Sequence, residues 1–225
     1  MAGKILNEKK QPMKIIDLTH CINEATMVWP GTAQPVIRPS STLAADGFRE
    51  TRLDIPSHLG THMDSPAHME PALRTLDTYP VDTFCGRAWT IDCSAAGPGG
   101  FISRTMLLSV TEPEAFDFIL LYTGWEQHWG TASYFGPYPV LTPDAADYLA
   151  NLPIKGIGID TMGVDSMDSE TFAIHHILFQ KDKVILENLN NLHSLIGHSI
   201  TLTALPLYFE QADGAPIRAI AAVPS

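Results

Sequence analysis

Residues 58–68 read His-Leu-Gly-Thr-His-Met-Asp-Ser-Pro-Ala-His, and they constrain the fold more than any other segment of the chain. Four side chains that can bind a metal lie at even positions: His58, His62, Asp64 and His68. An extended backbone would direct all four to one face, because alternate residues of a strand share a face. The competing structure is a helix, since His58 and His62 are four apart, but Gly60 and Pro66 disfavour it.

The spacing also raises a question of distance. At about 3.3 Å per residue, a straight strand separates the Cα atoms of His58 and His62 by roughly 13 Å. Ligand atoms must lie about 2.0–2.2 Å from a shared ion. Either the chain bends at Gly60, or the residues serve two neighbouring ions. Imidazole and carboxylate ligands without cysteine are typical of zinc or manganese in a catalytic site. The alternative is a histidine-rich loop whose rings only hydrogen-bond within the core.

A second part of the chain supplies further ligands. His175 and His176 lie on a predicted helix, where they point about 100° apart, so one of them is expected at the site. Glu187 interrupts the apolar run VILENL, and burying a bare carboxylate there is costly unless a cation accompanies it. Alternatively, Glu187 lies at the end of the strand, with its carboxylate in water. Asp160 and Asp165 follow a buried strand and either orient a histidine or form a turn.

The rest of the chain mixes strands and helices. Strands are predicted at 49–55, 88–92, 118–122, 156–160, VILENL, 201–207 and 217–223. Helices are predicted from Pro143, with Thr142 as the cap, and over 168–179, with Asp168 or Ser169 as the cap. The aromatic, glycine-containing segment 123–139 is predicted to be a long ordered loop. This order indicates a single α/β or α+β domain.

Composition excludes several classes of partner. A net charge of −11 argues against a nucleic acid or an anionic membrane. The three cysteines form no CxxC pair, so they are expected to be reduced. There is no apolar run that suits a signal peptide or a membrane span of about 20 residues. We therefore expect a soluble, cytoplasmic protein that acts on a small molecule. Residues 1–13 are expected to form a flexible segment ahead of a domain over 14–225.

The motif HLGTHMDSPAH resembles the HxGTHxDxPxH signature of the metal-dependent cyclase family, which includes bacterial kynurenine formamidases and isatin hydrolases. The segments IDLTHCINEATMVWPG, YTGW, GIDTMGVD and HHILFQKDKVILENLNNL resemble family blocks in the same order, so the similarity runs from about Ile15 to Val223. Kynurenine formamidases tend to carry GAHxDAP and a GDTP turn, where this chain has GTHMDSP and GTAQP. The resemblance thus favours the family more than its formamidase subtype.

The resemblance implies a role for each residue of the site. His58, His62 and Asp64 would bind metal, and a histidine twelve positions before Glu187 would join them, which selects His175 over His176. Glu187 would be a ligand, and His68 the catalytic acid–base. The implied ions are one or two zinc ions, or manganese. The implied fold is a mixed α/β domain with a barrel-like sheet, assembled as a homodimer or homotetramer.

The function expected from these features is metal-dependent hydrolysis of a C–N amide bond in a small cyclic amide or an N-formyl compound, with kynurenine formamidase itself as an alternative. Trp29 is a candidate for stacking on an aromatic substrate, although ordinary core packing would also explain it. A metal-binding module without turnover, or a small-molecule sensor, is the alternative from another class. A cupin oxygenase does not fit, because its HxH pair is replaced here by HxxxH.

Overall fold

The computed structural model describes residues 13–224. In that range the strands are β1 Met13–Asp17, β2 Val36–Ser41, β3 Glu50–Asp54, β4 His62–Asp64, β5 Cys85–Asp92, β6 Phe101–Ile102, β7 Phe118–Tyr122, β8 Val140–Leu141, β9 Gly156–Ile159, β10 Val184–Glu187, β11 Ser199–Pro206 and β12 Gly214–Pro224. The α-helices are α1 Leu43–Asp46, α2 Arg104–Leu107, α3 Pro143–Asn151 and α4 Ala173–Phe179. The predicted flexible segment lies outside the described residues except for Met13, which begins β1.

Seven strands close into a barrel in the order β12-β11-β5-β7-β9-β10-β4, and β4 pairs back onto β12. Strands β5, β7, β9 and β10 run parallel to one another in succession. Strand β4 is antiparallel to both of its neighbours, and β11 is antiparallel to β5 and β12. Strand β1 extends the sheet beyond β12. The expected mixed α/β fold with a barrel-like sheet is confirmed.

Side-chain alternation along the strands creates two cores. Met63, Leu120 and Leu186 belong to the core inside the barrel. Ile157 and Ile185 belong to a second core between the outer face of the barrel and the helices. Because β7 and β9 are covered on both sides, their sequences are continuously apolar, which is why they could be recognised as strands.

Most of the predicted strands are confirmed, with boundaries shifted by a few residues. The helix at Pro143 is also confirmed, and Thr142 occupies its N-cap position. The Thr142 hydroxyl, however, donates a 3.4 Å hydrogen bond to the Ile102 carbonyl and makes no capping bond to the helix. The long segment 123–139 is an ordered loop that contains two short 3-10 turns, Trp125–His128 and Ala132–Phe135.

The predicted helix over 168–179 is too long. Helix α4 begins only at Ala173, and neither Asp168 nor Ser169 is its cap. The Asp165 carboxylate instead accepts hydrogen bonds of 3.0 Å from the backbone amides of both Ile174 and His175. Periodicity could not reveal this start, because the capping carboxylate comes from the preceding loop. Within the described residues, no helix is long and apolar enough to cross a membrane.

Candidate metal centre and its pocket

The histidine segment is bent rather than straight. Only residues 62–64 form a strand, and Pro66–His68 is a 3-10 turn, so the extended backbone expected for this segment is limited to its middle. Gly60 has a φ of +61°, a left-handed conformation that favours glycine. This bend, which was one of the two solutions to the distance problem, brings His58 Nδ1 to 2.5 Å from Asp64 Oδ1.

Strand register brings Glu187 to the same place. Glu187 lies directly opposite His62 in the antiparallel β4–β10 pair. Since Met63 and Leu186 point into the barrel, the side chains of His62, Asp64 and Glu187 lie on its outer face. His62 Nε2 is 3.1 Å from Asp64 Oδ1 and 3.5 Å from Glu187 Oε2. The other ring nitrogen of His62 is held 2.8 Å from the Gly60 carbonyl, which orients the ring.

Helix α4 contributes His175 from above the sheet. His175 Nε2 lies 3.3 Å from Glu187 Oε1 and 3.9 Å from Asp64 Oδ2. Its Nδ1 lies 2.7 Å from Asp165 Oδ2, so Asp165 both starts the helix and orients the imidazole. Of the two histidines on this helix, His175 is therefore the one that the structure brings to the cluster. His176 is half-buried and is not among the residues that line the pocket.

The donor set fits a divalent cation. Three groups of nitrogen and oxygen atoms each lie within 4.8 Å of one another: His58 with His62 and Asp64, Asp64 with His175 and Glu187, and His58 with His68 and Asp213. Glu187 Oε1 is buried and accepts no hydrogen bond, although an unsatisfied buried carboxylate oxygen is costly. A cation between Asp64, His175 and Glu187 would satisfy that oxygen. Imidazole and carboxylate together suit zinc or manganese.

The electrostatics of the cluster also favour a cation. Burial lowers the pKa of His58, but the charge of Asp64 and the hydrogen bonds that the ring donates to Asp213 and Asp64 outweigh it and raise the pKa to about 10. Burial likewise opposes protonation of His175, yet the hydrogen bond to Asp165 and the neighbouring Glu187 carboxylate raise its pKa to about 10. The carboxylates thus stabilise positive charge at both histidines, whether it is carried by protons or by metal.

Asp213 is a member of the site that sequence reasoning missed. It precedes β12, and its Oδ2 lies 3.0 Å from His58 Nε2 and 3.9 Å from His68 Nδ1. The rings of His58 and His68 are tilted by 35° to each other, with their centroids 3.8 Å apart. An aspartate in the sequence Ala-Asp-Gly-Ala is typical of a turn, so the local pattern gave no reason to select it. Only the β12–β4 pairing, with Gly214 opposite Asp64, brings it to the histidines.

The cluster forms one wall of a pocket of about 350 Å³. His58, His62, His68, His175 and Glu187 all line it. Apolar and aromatic side chains complete the lining: Met27, Trp29, Met69, Tyr138, Met162 and Phe172. Trp29 is half-buried, and its ring centroid lies 6.5 Å from that of Phe172. The candidate stacking residue is therefore part of the pocket wall.

The two aspartates that follow β9 have different roles. Asp165 orients His175, as one of the two alternatives proposed. Asp160 instead accepts hydrogen bonds from the backbone amides of Thr123 and Gly124, so it fixes the start of the aromatic loop. That loop supplies Tyr134, whose hydroxyl donates to Asn188 Oδ1 at 2.5 Å. Asn188 Nδ2 in turn donates to the Gly60 carbonyl, which supports the bend beside His62.

A closed mixed barrel that carries a cluster of histidines and carboxylates defines a class of protein, and comparison with known proteins identifies that class. The Cyclase family model matches residues 16–166, and the chain belongs to this family. It is 30% identical over 206 residues to a kynurenine formamidase from Bacillus cytotoxicus. The aligned residues cover 91% of this chain and 95% of the relative.

Solved structures agree with that assignment. An isatin hydrolase bound to the product analogue thioisatinate superposes with a TM-score of 0.85 at 26% identity, over 95% of this chain and 93% of the other. A protein described as a predicted metal-dependent hydrolase from Bacillus stearothermophilus gives a TM-score of 0.77 at 27% identity, over 94% and 98% of the two chains. The resemblance seen in the sequence is confirmed by both kinds of comparison.

Proposed function

We propose that the protein is a metal-dependent hydrolase that cleaves a C–N amide bond in a small cyclic amide or an N-formyl compound. The observation that carries the proposal is the unpartnered, buried Glu187 oxygen among His62, Asp64 and His175, at the wall of an aromatic pocket. Similarity to a kynurenine formamidase and to an isatin hydrolase supports this reaction class.

The metal ligands in this proposal are His58, His62, Asp64, His175 and Glu187. Asp64 faces two groups, with Oδ1 toward His58 and His62 and Oδ2 toward His175. These residues would hold one or two ions, with zinc preferred and manganese as the alternative. When bound, such an ion lowers the pKa of its water toward neutrality and polarises a carbonyl oxygen.

His68 is the proposed catalytic acid–base. Its ring is half-exposed at the mouth of the pocket, in contact with His58 and near the Asp213 carboxylate. An imidazole there can take a proton from the attacking water and return it to the leaving nitrogen, which an amide needs because its nitrogen leaves poorly as an anion. The Asp213 Oδ2 atom lies 3.9 Å from the Nδ1 atom of this ring.

Trp29 is the proposed substrate-binding residue, with Phe172 beside it. Their rings and the methionines of the wall suit a flat aromatic substrate, and isatin and N-formylkynurenine both combine an aromatic ring with an amide.

Kynurenine formamidase activity is the second candidate, favoured by the 30% identity over nearly the whole chain. Replacing Trp29 by Ala is expected to raise KM roughly tenfold with little change in kcat, since ring stacking holds ground state and transition state alike.

The proposal is tested by elemental analysis of protein purified without added metal, followed by assays on isatin and N-formylkynurenine before and after chelation. One or two equivalents of metal per chain with chelator-sensitive hydrolysis would support it and identify the substrate. Metal without turnover of either compound would support the metal centre but direct the search for a substrate to other amides, esters or lactones. A chain that binds no metal even when zinc or manganese is supplied would overturn it.

A further inference from the structure

Tyr138 places a hydroxyl group at the wall of the pocket, beside the metal cluster. The residue follows the short Ala132–Phe135 turn of the aromatic loop, and its side chain is 3% exposed. Its ring packs in an apolar cluster with Trp125 and Met162, and the centroids of the Trp125 and Tyr138 rings lie 6.3 Å apart. Because these neighbours enclose the ring, the position of the hydroxyl group is fixed.

The hydrogen of this hydroxyl group is already engaged. Tyr138 Oη donates a hydrogen bond of 2.9 Å to the backbone carbonyl of Asp165. A phenol has one hydrogen and can also accept, so its oxygen is left as an acceptor. Among the residues that the structure describes, no donor forms a hydrogen bond to this oxygen. Burial and the charge of Glu187 raise the pKa of Tyr138, so the group stays neutral at physiological pH.

Gly163 leaves an open space next to that oxygen. Gly163 lines the pocket, and its φ is not in the left-handed region, so the backbone conformation does not require a glycine there. A Cβ atom added to Gly163 would lie 3.3 Å from Tyr138 Oη, 3.6 Å from the Asp165 carbonyl oxygen and 3.7 Å from Glu187 Oε1. Apart from atoms of the glycine and its chain neighbours, these are the three heavy atoms nearest to that point, and all three are oxygens.

A space surrounded by acceptors suits a hydrogen-bond donor. The Asp165 carbonyl already accepts from Tyr138, and Glu187 Oε1 is the buried oxygen that a cation would satisfy. Tyr138 Oη is thus the acceptor that remains for a bound molecule. An N–H group satisfies it, whereas an ester oxygen or an N-methyl group leaves it buried without a donor, which costs free energy. A site built to hydrogen-bond an N–H group rejects analogues without it far more strongly than an apolar pocket rejects an extra methyl group.

From this geometry we infer that Tyr138 positions the substrate by accepting a hydrogen bond from its amide N–H group, in the space that Gly163 leaves open. The pocket accordingly selects secondary amides with a free N–H group, such as a lactam or an N-aryl formamide, over N-alkylated amides, esters and lactones. The inference rests on the proposed hydrolase function and names the substrate class within it.

The test compares hydrolysis of isatin with hydrolysis of N-methylisatin, which differs from it only at the nitrogen. We expect the ratio of their kcat/KM values to fall roughly tenfold or more in Tyr138→Phe, because this variant has no oxygen to accept from the N–H group. The intrinsic reactivity of each compound is the same for every protein, so it cancels in this comparison. Tyr134→Phe is the matched control and should leave the ratio unchanged, since its buried hydroxyl group belongs to the same loop but donates to Asn188 and does not line the pocket.

A second variant tests the space itself. Gly163→Ala puts a methyl group where the N–H group is expected, at an ordinary van der Waals distance of 3.7 Å from Glu187 Oε1. The KM for isatin should rise roughly tenfold, because the methyl group keeps the substrate from Tyr138. Metal content, measured by elemental analysis, should stay at that of the natural chain. An unchanged KM would show that the substrate does not use this space, and would overturn the inference.

The outcomes separate this inference from the proposed function. An equal loss of activity on both compounds in Tyr138→Phe, or no loss at all, would overturn the inference and leave the hydrolase function standing. If neither compound is hydrolysed, the proposed function loses support, and titration calorimetry of the same proteins measures binding directly. Tighter binding of isatin than of N-methylisatin, with the difference lost in Tyr138→Phe, would then still support the inference. Equal binding of the two compounds by the natural chain, or no binding of either, would overturn it.

Discussion

The metal cluster has a buried half and an exposed half, and the two are built differently. In the buried half, Asp64, His175 and Glu187 are 1–5% exposed, and each is fixed by strand register or by the start of a helix. At the mouth, the side chains of His58 and Asp213 are 22% and 45% exposed, and both belong to turns. His68, on a 3-10 turn, is the third member of this half.

This difference in exposure suggests that the two halves have different functions. A buried carboxylate needs a permanent partner, so the buried half is suited to holding a cation. Groups at the mouth can exchange protons with solvent and contact a substrate as it enters. The predictions that follow test whether the two halves separate in this way, beginning with the largest expected effect.

Glu187→Gln should remove both metal and activity, with turnover falling roughly 10,000-fold or more, because water without a bound metal keeps its ordinary pKa of about 15.7. Metal content and turnover are measured on the same preparation. Glu126→Gln is the matched control, since Glu126 is a half-buried carboxylate that accepts a hydrogen bond from the Leu192 amide, which a glutamine can also accept. Full metal content in Glu187→Gln would break the assignment of the buried half.

His68→Ala should lower turnover roughly 100- to 1,000-fold, the usual contribution of a general acid–base, while metal content stays near normal. His193→Ala is the control, because that ring also contacts an aromatic neighbour, Tyr122, outside the cluster. Loss of metal in His68→Ala would show that His68 is a ligand and not the acid–base.

Metal affinity should rise with pH in both halves. Because the pKa values of His58 and His175 are raised to about 10, a metal must displace protons from them below that pH. One displaced proton strengthens binding about tenfold per pH unit, so affinity at pH 8 should exceed affinity at pH 6 by about 100-fold or more. Competition with a chelator at several pH values measures this slope, and a flat profile would contradict the coupling.

The sign is opposite for the metal-free protein. A histidine whose pKa is raised by folding stabilises the fold fully below its ordinary value near 6.5, and this contribution is lost as the pH rises through about 10. The chelated protein should therefore lose stability on the alkaline side, whereas the metal-bound protein should not. Thermal unfolding of both forms across that range checks the difference.

Asp165→Asn should weaken metal binding by about 10- to 100-fold, the usual effect of removing the carboxylate that orients a histidine ligand. Asn can still accept one helix amide, so α4 should be retained. Asp168→Asn, on the exposed part of the same loop, is the control and should bind metal as the natural chain does. Equal affinity in both variants would mean that helix α4 alone orients His175.

Features that depend on neighbouring residues were predicted from the sequence, and features that depend on distant residues were missed. Strands β7 and β9 were recognisable because their apolar runs reflect burial on both faces. The start of α4 was missed because its cap, Asp165, is separated from the helix by a loop. Asp213 was missed because an aspartate before glycine in a turn carries no sign of its partner, which is reached only when β12 pairs with β4.

By itself, the sequence determined the donor types of the centre and the family, and it offered a bend at Gly60 as one of two solutions to the spacing of the histidines. Local spacing conveys these features because they depend on neighbouring residues. The tertiary structure decided which donors meet, since Glu187 and His62 become neighbours only through the register of two antiparallel strands. It also separated the buried side chains of Asp64, His175 and Glu187 from the exposed mouth. Closure of the barrel fixes the distances between these residues, and no local sequence pattern indicates that closure.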